Sequence, residues 1–172
     1  MLPLSYIPVS MKRTRAITFL FTCILLLPAF STRAQDVIRQ RPCNSEEIKA
    51  QADSLKNEMI GQGYALLREA SMTMESEYEM PVIVPFNERE WYHVVFIGDK
   101  SSKLLELRMF DWNEKQVIYQ KSLNDGIDGN INILRYTYSP KFSEYHMIKP
   151  VQVNKKKKKE VCGYIMLFRR IK

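Results

Sequence analysis

Side chains with the potential for catalysis are few in this sequence and lie far apart. The chain has two histidines, His93 and His146, and each lies within a stretch that predicts a β-strand. Nucleophilic catalysis needs a serine or cysteine beside an oriented base, and the sequence has neither a nucleophile-elbow motif nor a Cys–His signature. The carboxylates of Glu88 and Glu90 suit general acid–base chemistry, although a solvated face at the start of a strand explains them more simply. We therefore predict that the protein is not an enzyme.

Candidate metal ligands are equally scattered. A zinc site usually needs several histidine, cysteine or carboxylate ligands, and here such residues stand singly. Asp125, Asp128 and Asn130 offer the oxygen ligands that calcium prefers. Their spacing matches no EF-hand loop, and the same residue types are standard turn formers. The sequence thus predicts no metal and no cofactor, with a structural calcium ion in this loop as the alternative.

The N-terminal region predicts export. A basic segment, 12–15, precedes the apolar run 16–30, and small residues up to Ala34 complete a signal-peptidase cleavage site. The apolar run is shorter than the roughly 20 residues that a membrane-spanning helix needs. We therefore expect residues 1–34 to be an N-terminal extension and cleavable signal peptide, and residues 35–172 to be one secreted or periplasmic domain.

Two points about this leader stay open. Translation starts at Met1 or at Met11, since the basic segment follows Met11 directly. The alternative of a lipoprotein requires lipidation of Cys23, but Thr22 is larger than the small residue expected before such a cysteine. Cleavage there would also divide the apolar run.

Cys43 and Cys162 are the cysteines of the predicted mature domain. Export would allow them to oxidise, and a bridge would join the start of the domain to its last predicted strand. The chain-entropy model assigns a loop of this length about 4–5 kcal/mol of stabilisation. Pairing is therefore a hypothesis, and two buried, inert thiols are the alternative.

The positive charge of the chain is concentrated rather than distributed. Residues 1–34 hold four basic residues and no acidic ones, so their removal lowers the formal net charge from +7 to +3. Five positive charges come from one run, Lys155, Lys156, Lys157, Lys158 and Lys159. Nucleic-acid binding needs a distributed basic face, so we predict no nucleic-acid partner. We expect the run to decorate a hairpin loop, where it offers the one means of membrane contact; the alternative is a solvated loop that protects strand edges.

One amphipathic helix is predicted near the start of the domain, over about 45–60. Asn44 and Glu47 have the spacing of a capping box, and Gly61 supplies a stop. The apolar residues recur along a single stripe, formed by Ile48, Ala52, Leu55 and Met59.

The rest of the domain is predicted to consist of about eight strands at regular spacing. The predicted strands cover residues 64–76, 82–84, 91–97, 105–109, 116–120, 132–138, 145–153 with a break near Pro150, and 162–169. Because no helices alternate with them, the pattern favours an antiparallel sandwich or barrel over a parallel sheet. Proline residues flanking Val82–Val84 place that strand at a sheet edge. We predict a mainly β, jelly-roll-like β-sandwich.

Several aromatic residues are candidates for ligand contact. Trp112 lies in a predicted hairpin turn, and Tyr136 and Tyr138 alternate along one strand. We expect these two tyrosines to share a face with Tyr145 of the next strand. Exposed flat rings on a β-sandwich suit stacking against sugars, and core packing is the alternative explanation.

Four short motifs follow one another along the predicted strands: Gly63-Tyr64-x-Leu66-Leu67, Trp91-Tyr92-x-Val94-Val95-Phe96, Leu105-x-Leu107-x-x-Phe110-Asp111 and Cys162-Gly163-Tyr164-Ile165. In this order they resemble bacterial pre-peptidase C-terminal modules. The resemblance spans Gly63 to Arg169 and implies a secreted jelly-roll sandwich that accompanies exported enzymes. It implies no catalytic residues, because such modules share none.

These observations predict a secreted, non-enzymatic binding or envelope-associated module. The alternatives are an accessory or inhibitory partner of another exported protein, and a glycan-binding module. Tyrosines beside an exposed Trp112 would favour an envelope glycan as the ligand, whereas an uncovered apolar edge near Val82–Val84 would favour an exported protein. A pocket that holds His93 or His146 beside a carboxylate would favour catalysis.

Overall fold

A computed structural model describes residues 41–123, 132–154 and 160–171. The described residues form one helix and eight strands. Their bounds are α1 Glu46–Gly61, β1 Tyr64–Glu75, β2 Val82–Phe86, β3 Tyr92–Gly98, β4 Ser102–Phe110, β5 Gln116–Leu123, β6 Ile133–Tyr138, β7 Glu144–Asn154 and β8 Glu160–Arg170. The predicted leader 1–34, the candidate calcium ligands at 125, 128 and 130, and the lysine run 155–159 lie outside the described residues.

The strands form two antiparallel four-stranded sheets. Sheet I has the order β1-β8-β3-β6 and sheet II has the order β2-β7-β4-β5. Except for the β4–β5 hairpin, consecutive strands lie in different sheets, which is the pattern of a jelly roll, in which two Greek keys make a double sheet. The prediction of a mainly β, jelly-roll-like sandwich with one helix is confirmed.

The main core lies between the two sheets. Strand alternation directs every second side chain inward, so Leu107 and Met109 of sheet II meet Phe96 and Ile165 of sheet I. These four side chains are at most 4% exposed.

Helix α1 covers the outer face of sheet I. Its predicted stripe is buried against outward-facing side chains of β3 and β8, namely Val95, Ile97, Met166 and Phe168. The N-cap is Ser45 rather than the predicted Asn44, and its side-chain oxygen accepts a hydrogen bond from the backbone N–H of Ile48 (3.4 Å). This register places Glu46 and Glu47 in the first turn, where the helix dipole favours negative charge.

Within the described part of the chain, we find no helix that is both long enough and apolar enough to cross a bilayer.

Strand β7 runs without a break through Pro150, contrary to the prediction from sequence. The carbonyl of Pro150 accepts a hydrogen bond from the backbone N–H of Met80 (3.3 Å). Met80 precedes β2, whose pairing with β7 begins at Val82 opposite Ile148. The N–H and C=O of one residue point to the same side of a strand, so the ladder to β4 lies on the other side. Pro150 therefore removes no hydrogen bond between β7 and β4.

The prediction that the lysine run lies in a hairpin loop is wrong. Strand β7 before it belongs to sheet II and β8 after it belongs to sheet I. The two strands of a hairpin must pair with each other, and β7 and β8 do not. The lysine residues themselves lie outside the described residues.

A disulfide joins Cys43 to Cys162, whose Cα atoms are 5.5 Å apart. The Ser71 hydroxyl of β1 donates to the Cys43 carbonyl (2.6 Å) and accepts from the Cys43 N–H (3.1 Å). The N–H of Thr73 donates to the carbonyl of Arg41 (2.7 Å). The segment before α1 is thus attached to β1 and β8, which sets where the helix starts.

We expect replacement of both cysteines by serine to lower the free energy of unfolding by about 4–5 kcal/mol, because the bridge restricts a long loop in the unfolded chain. Urea unfolding without reductant measures the loss. Adding reductant should reproduce it in the wild-type protein and leave the serine variant unchanged. Equal urea midpoints for the oxidised wild type and the variant would show that the bridge contributes nothing.

Candidate binding surface

The outer face of sheet II is covered by no helix or strand of the described chain, in contrast to sheet I. Among the described strands, helix α1 packs mainly against β1, β3 and β8, which all belong to sheet I. Four large side chains on sheet II or in its β4–β5 turn are more than half exposed, and three of them lie near one another: Ile83 at 54%, Tyr145 at 54% and Trp112 at 70%, whereas Leu123 (61%) lies at the other end of β5.

Strand register gathers these side chains into one group. In the pairing of β2 with β7, Pro85 lies opposite Tyr145 and Ile83 lies opposite Met147. In the pairing of β7 with β4, Met147 lies opposite Phe110. We call the group the aromatic patch, and it consists of Ile83, Pro85, Phe110, Trp112, Tyr145 and Met147.

Trp112 is held on a structured turn. A carboxylate oxygen of Asp111 accepts hydrogen bonds from the N–H groups of Asn113 (3.0 Å) and Lys115 (2.9 Å). The backbone N–H of Asp111 also donates to the Lys115 carbonyl (3.0 Å). The indole ring centroid lies 6.2 Å from that of Tyr145, with the planes tilted by 50°. The prediction that Trp112 lies at a hairpin turn is confirmed.

An ion-pair network adjoins the aromatic patch on the same face. Its members are Glu79, Glu106, Arg108, Tyr119 and Lys149. Arg108 donates to Glu79 (2.7 Å) and to Glu106, and the Lys149 ammonium lies 2.9 Å from Glu79. The Tyr119 hydroxyl donates to Glu106 (3.0 Å). Lys149 also lies 4.9 Å from the centre of the Phe110 ring, which joins the network to the patch.

The network is charged at neutral pH. The hydrogen bond from Lys149, more than the charge of Arg108, lowers the pKa of Glu79. The hydrogen bond to Glu106 raises the pKa of Arg108. Both shifts favour the ionised forms, so the network presents fixed charges beside an apolar area.

Tyr136 and Tyr138, predicted to face a ligand beside Trp112, point into the sandwich instead. Tyr136 is 6% exposed and its hydroxyl contacts the Met109 sulfur (3.2 Å). Tyr138 is half-buried, and its hydroxyl lies 3.1 Å from Nε2 of His146. The two tyrosines do share a face, but that face of β6 is the inner one. Neither is part of the aromatic patch.

Tyr145 is the tyrosine that accompanies Trp112. The expectation that it shares a face with Tyr136 and Tyr138 is wrong, because those two point into the core. The available signal was alternation along 144–154, which puts Tyr145 and Met147 on the face opposite His146 and Ile148. Alternation alone did not identify which of the two faces is the outer one.

The two histidines lie on different sheets. His93 faces the helix side of sheet I, where Nδ1 lies 2.9 Å from the Thr137 hydroxyl. His146 is buried in the core with its ring centroid 4.9 Å from that of Phe86, and Nε2 is 3.7 Å from a Glu144 oxygen. Neither histidine lines the cavity at the start of α1 or the cavity between β1 and β2.

The carboxylates of Glu88 and Glu90 have separate partners. Glu90 accepts a hydrogen bond from the Tyr92 hydroxyl (2.7 Å), which lowers the pKa of Glu90, and lies 3.3 Å from Arg169. Glu88 lies 3.5 Å from Arg89. Among the described residues, no three potential metal ligands cluster together.

Comparison with known proteins adds only distant structural likeness. No protein family model matches the sequence, so the resemblance to pre-peptidase C-terminal modules gains no support. No curated protein matches it either. The described fold and surface define a disulfide-linked β-sandwich domain with an aromatic patch on one sheet.

Three solved structures illustrate the distant likeness. The PliG periplasmic inhibitor of g-type lysozyme from Aeromonas hydrophila is 8% identical, with 63% of this chain and 87% of that chain covered and a TM-score of 0.42. The SPBc2 prophage-derived protein YomS is 11% identical (60% and 97% covered, TM-score 0.32). The CBM22-1 xylan-binding domain of Paenibacillus barcinonensis Xyn10C is 8% identical (63% and 84% covered, TM-score 0.28). TM-scores below 0.5 carry no argument about this chain.

Burial of His146 predicts a loss of stability in mild acid. Burial, opposed by the weaker effect of Glu144, holds the pKa of the His146 imidazole below its ordinary value, and the pKa of His93 is shifted in the same direction. Below about pH 6.5 the unfolded chain therefore binds more protons than the folded chain does. Stability is full above that pH and falls as the pH drops toward the folded-state pKa.

We expect the urea midpoint to decrease between about pH 7.5 and pH 5, before carboxylates titrate. His146→Phe should reduce this decrease, and His93→Gln provides the matched test of the other histidine. An unchanged pH dependence in both variants would show that neither histidine is responsible.

Proposed function

We propose that the protein is an exported, non-enzymatic binding module that contacts another exported protein through the aromatic patch. The observation that carries the proposal is a contiguous apolar group on a sheet face that no described element covers. Single exposed apolar side chains are normal on a protein surface, whereas contiguous ones mark interaction sites. The types present at the patch, Trp112, Tyr145, Phe110 and Met147, are those enriched at protein interfaces.

The ion-pair network supports the same reading. Charged groups beside an apolar centre orient a partner and suppress wrong ones. Arg108 and Lys149 are held by Glu79, so these side chains lose little freedom when a partner binds. Preorganised side chains lower the entropic cost of association.

The exposed edge of β2 is a less suitable docking point than the sheet face. A partner strand needs free backbone groups along the edge. The Ile83 carbonyl already accepts a hydrogen bond from the Arg68 guanidinium (3.1 Å), and Pro85 has no N–H to offer. The apolar edge at Val82–Val84 therefore favours contact through side chains rather than strand addition.

Export is the second part of the proposal. The disulfide between Cys43 and Cys162 suits an oxidising compartment, and the sequence 1–34 has the pattern of a signal peptide. An accessory or inhibitory role toward an exported enzyme is consistent with both.

A photo-crosslinking experiment tests the patch. A benzophenone amino acid placed at Tyr145 should crosslink to a partner when the exported protein is irradiated in cells that produce it. Placement at Ile60, an exposed apolar residue on α1 (57% exposed), is the matched control. Trp112→Ala should weaken binding of the purified partner by roughly tenfold or more, as expected for a central aromatic contact. Identical crosslinks from both positions would contradict the proposal.

A glycan is the second candidate ligand, favoured by the exposed rings of Trp112 and Tyr145. The chain has two tryptophans, so Trp91→Phe leaves Trp112 as the one indole reporter. If the partner is a protein, we expect the fluorescence of Trp112 to remain constant with millimolar xylo-oligosaccharides, chito-oligosaccharides and peptidoglycan fragments. A saturable shift that Tyr145→Ala removes would instead establish sugar stacking.

A further inference from the structure

A cavity opens at the sandwich edge where β1 of sheet I and β2 of sheet II face each other. Its volume is about 200 Å³. Apolar side chains from both sheets form its walls, and they are Ala70, Val82, Val84, Ile148, Ile165 and Leu167. The cavity is therefore a gap in the main core rather than part of the aromatic patch.

Arg68 lines the same cavity and lies at its exposed mouth. A β-bulge explains its position, because the pairing of β1 with β8 shifts between Leu66 and Arg68. Leu66 lies opposite Phe168, which faces the helix, whereas Arg68 lies opposite Leu167, which faces the core. Bulges re-aim side chains in this way. Leu67 is the extra residue, and Arg68 occupies an inward position on an edge strand.

The Arg68 guanidinium has unused capacity to bind an anion. One of its N–H groups donates to the Ile83 carbonyl (3.1 Å), and a guanidinium has about five such donors. Among the described residues, no carboxylate forms an ion pair with it. Glu69 also lines the cavity, but its carboxylate is engaged by Lys56 (2.8 Å) and by the Tyr164 hydroxyl (2.8 Å), and the Lys56 hydrogen bond lowers the pKa of Glu69.

We infer that this cavity binds an aliphatic monocarboxylate, with the hydrocarbon chain between the sheets and the carboxylate on Arg68. Apart from Glu69, whose carboxylate is engaged by Lys56 and Tyr164, the wall side chains offer only apolar contact. The one charged group of the lining without an ion-pair partner in the described chain is a cation, Arg68. An apolar cavity of about 150 Å³ takes benzene, so this one has room for about six to eight carbon atoms. A medium-chain fatty acid fits both features. The side chains that line this cavity are not members of the aromatic patch, although Arg68 contacts the backbone carbonyl of Ile83.

The experiment titrates the disulfide-bonded mature protein with octanoate and, in parallel, with octanol. Methyl NMR shifts of Val84, Ile148 and Leu167 report occupancy of the cavity. We expect saturable shifts with octanoate at millimolar concentration or below. Arg68→Gln should weaken octanoate binding about tenfold, because it removes a charged hydrogen-bonding partner, and should leave octanol binding unchanged.

Matched variants separate the possible outcomes. Arg89→Gln removes the same charge from an exposed side chain outside the cavity and should not change the octanoate affinity. Ala70→Leu fills the cavity and should abolish binding of both ligands; Val82→Phe, at the rim, serves the same purpose if the first variant fails to fold. Trp112→Ala should bind octanoate normally, which distinguishes this site from the aromatic patch.

Two results would overturn the inference. One is the absence of methyl shifts in the wild type. The other is equal octanoate affinity for Arg68→Gln and Arg89→Gln. If the two affinities are equal and Arg68→Gln self-associates, Arg68 protects the sheet edge against strand pairing and does not bind an anion.

Discussion

Strands β3 and β8 are apolar on both faces, and the rest of the structure depends on covering both. Val94 and Phe96 of β3 face the inter-sheet core, whereas Val95 and Ile97 face outward. Leaving the outward set in water would forfeit about 1.5–3 kcal/mol for each large side chain. Helix α1 covers them, and the Cys43–Cys162 bridge fixes where that helix begins. Since the described chain has one helix, sheet II keeps an open face.

A single buried amide ties the two sheets together near one end of the core. Gln152 of β7 accepts from the Asp99 N–H (2.8 Å) and the Ser102 hydroxyl (3.0 Å), and donates to the Cys162 carbonyl (2.9 Å). Gly163 of β8 leaves the space that this side chain needs, because an added Cβ would collide with Met74 and approach the Gln152 amide. Buried polar groups without partners are costly, so these contacts favour one alignment of the sheets. In this alignment one face of sheet II stays uncovered by the described chain, and a cavity remains between β1 and β2.

Much of the fold could be predicted from local patterns. Alternation and turn residues placed eight strands, and an apolar stripe placed α1, because backbone periodicity acts over a few residues. Apart from the N-cap, which is Ser45 rather than Asn44, the errors concern contacts between residues distant in sequence. Pro150 was expected to break a strand, yet it lies on the β2 side of β7 beyond the residues that pair with β2, so its missing N–H costs no ladder hydrogen bond. The lysine run was expected in a hairpin, yet the strands that flank it pair in different sheets.

The sequence by itself determined which residues share one face of each strand, and it marked Trp112 as a turn residue. Only the tertiary structure decided which face is outer, because alternation has the same period whichever side meets the core. That decision buries Tyr136 and exposes Tyr145 beside Trp112. The bulge that turns Arg68 inward likewise appears only when β1 pairs with β8. Binding surfaces form where strands distant in sequence become neighbours, and the physical reason is that pairing and packing, not local propensity, choose those neighbours.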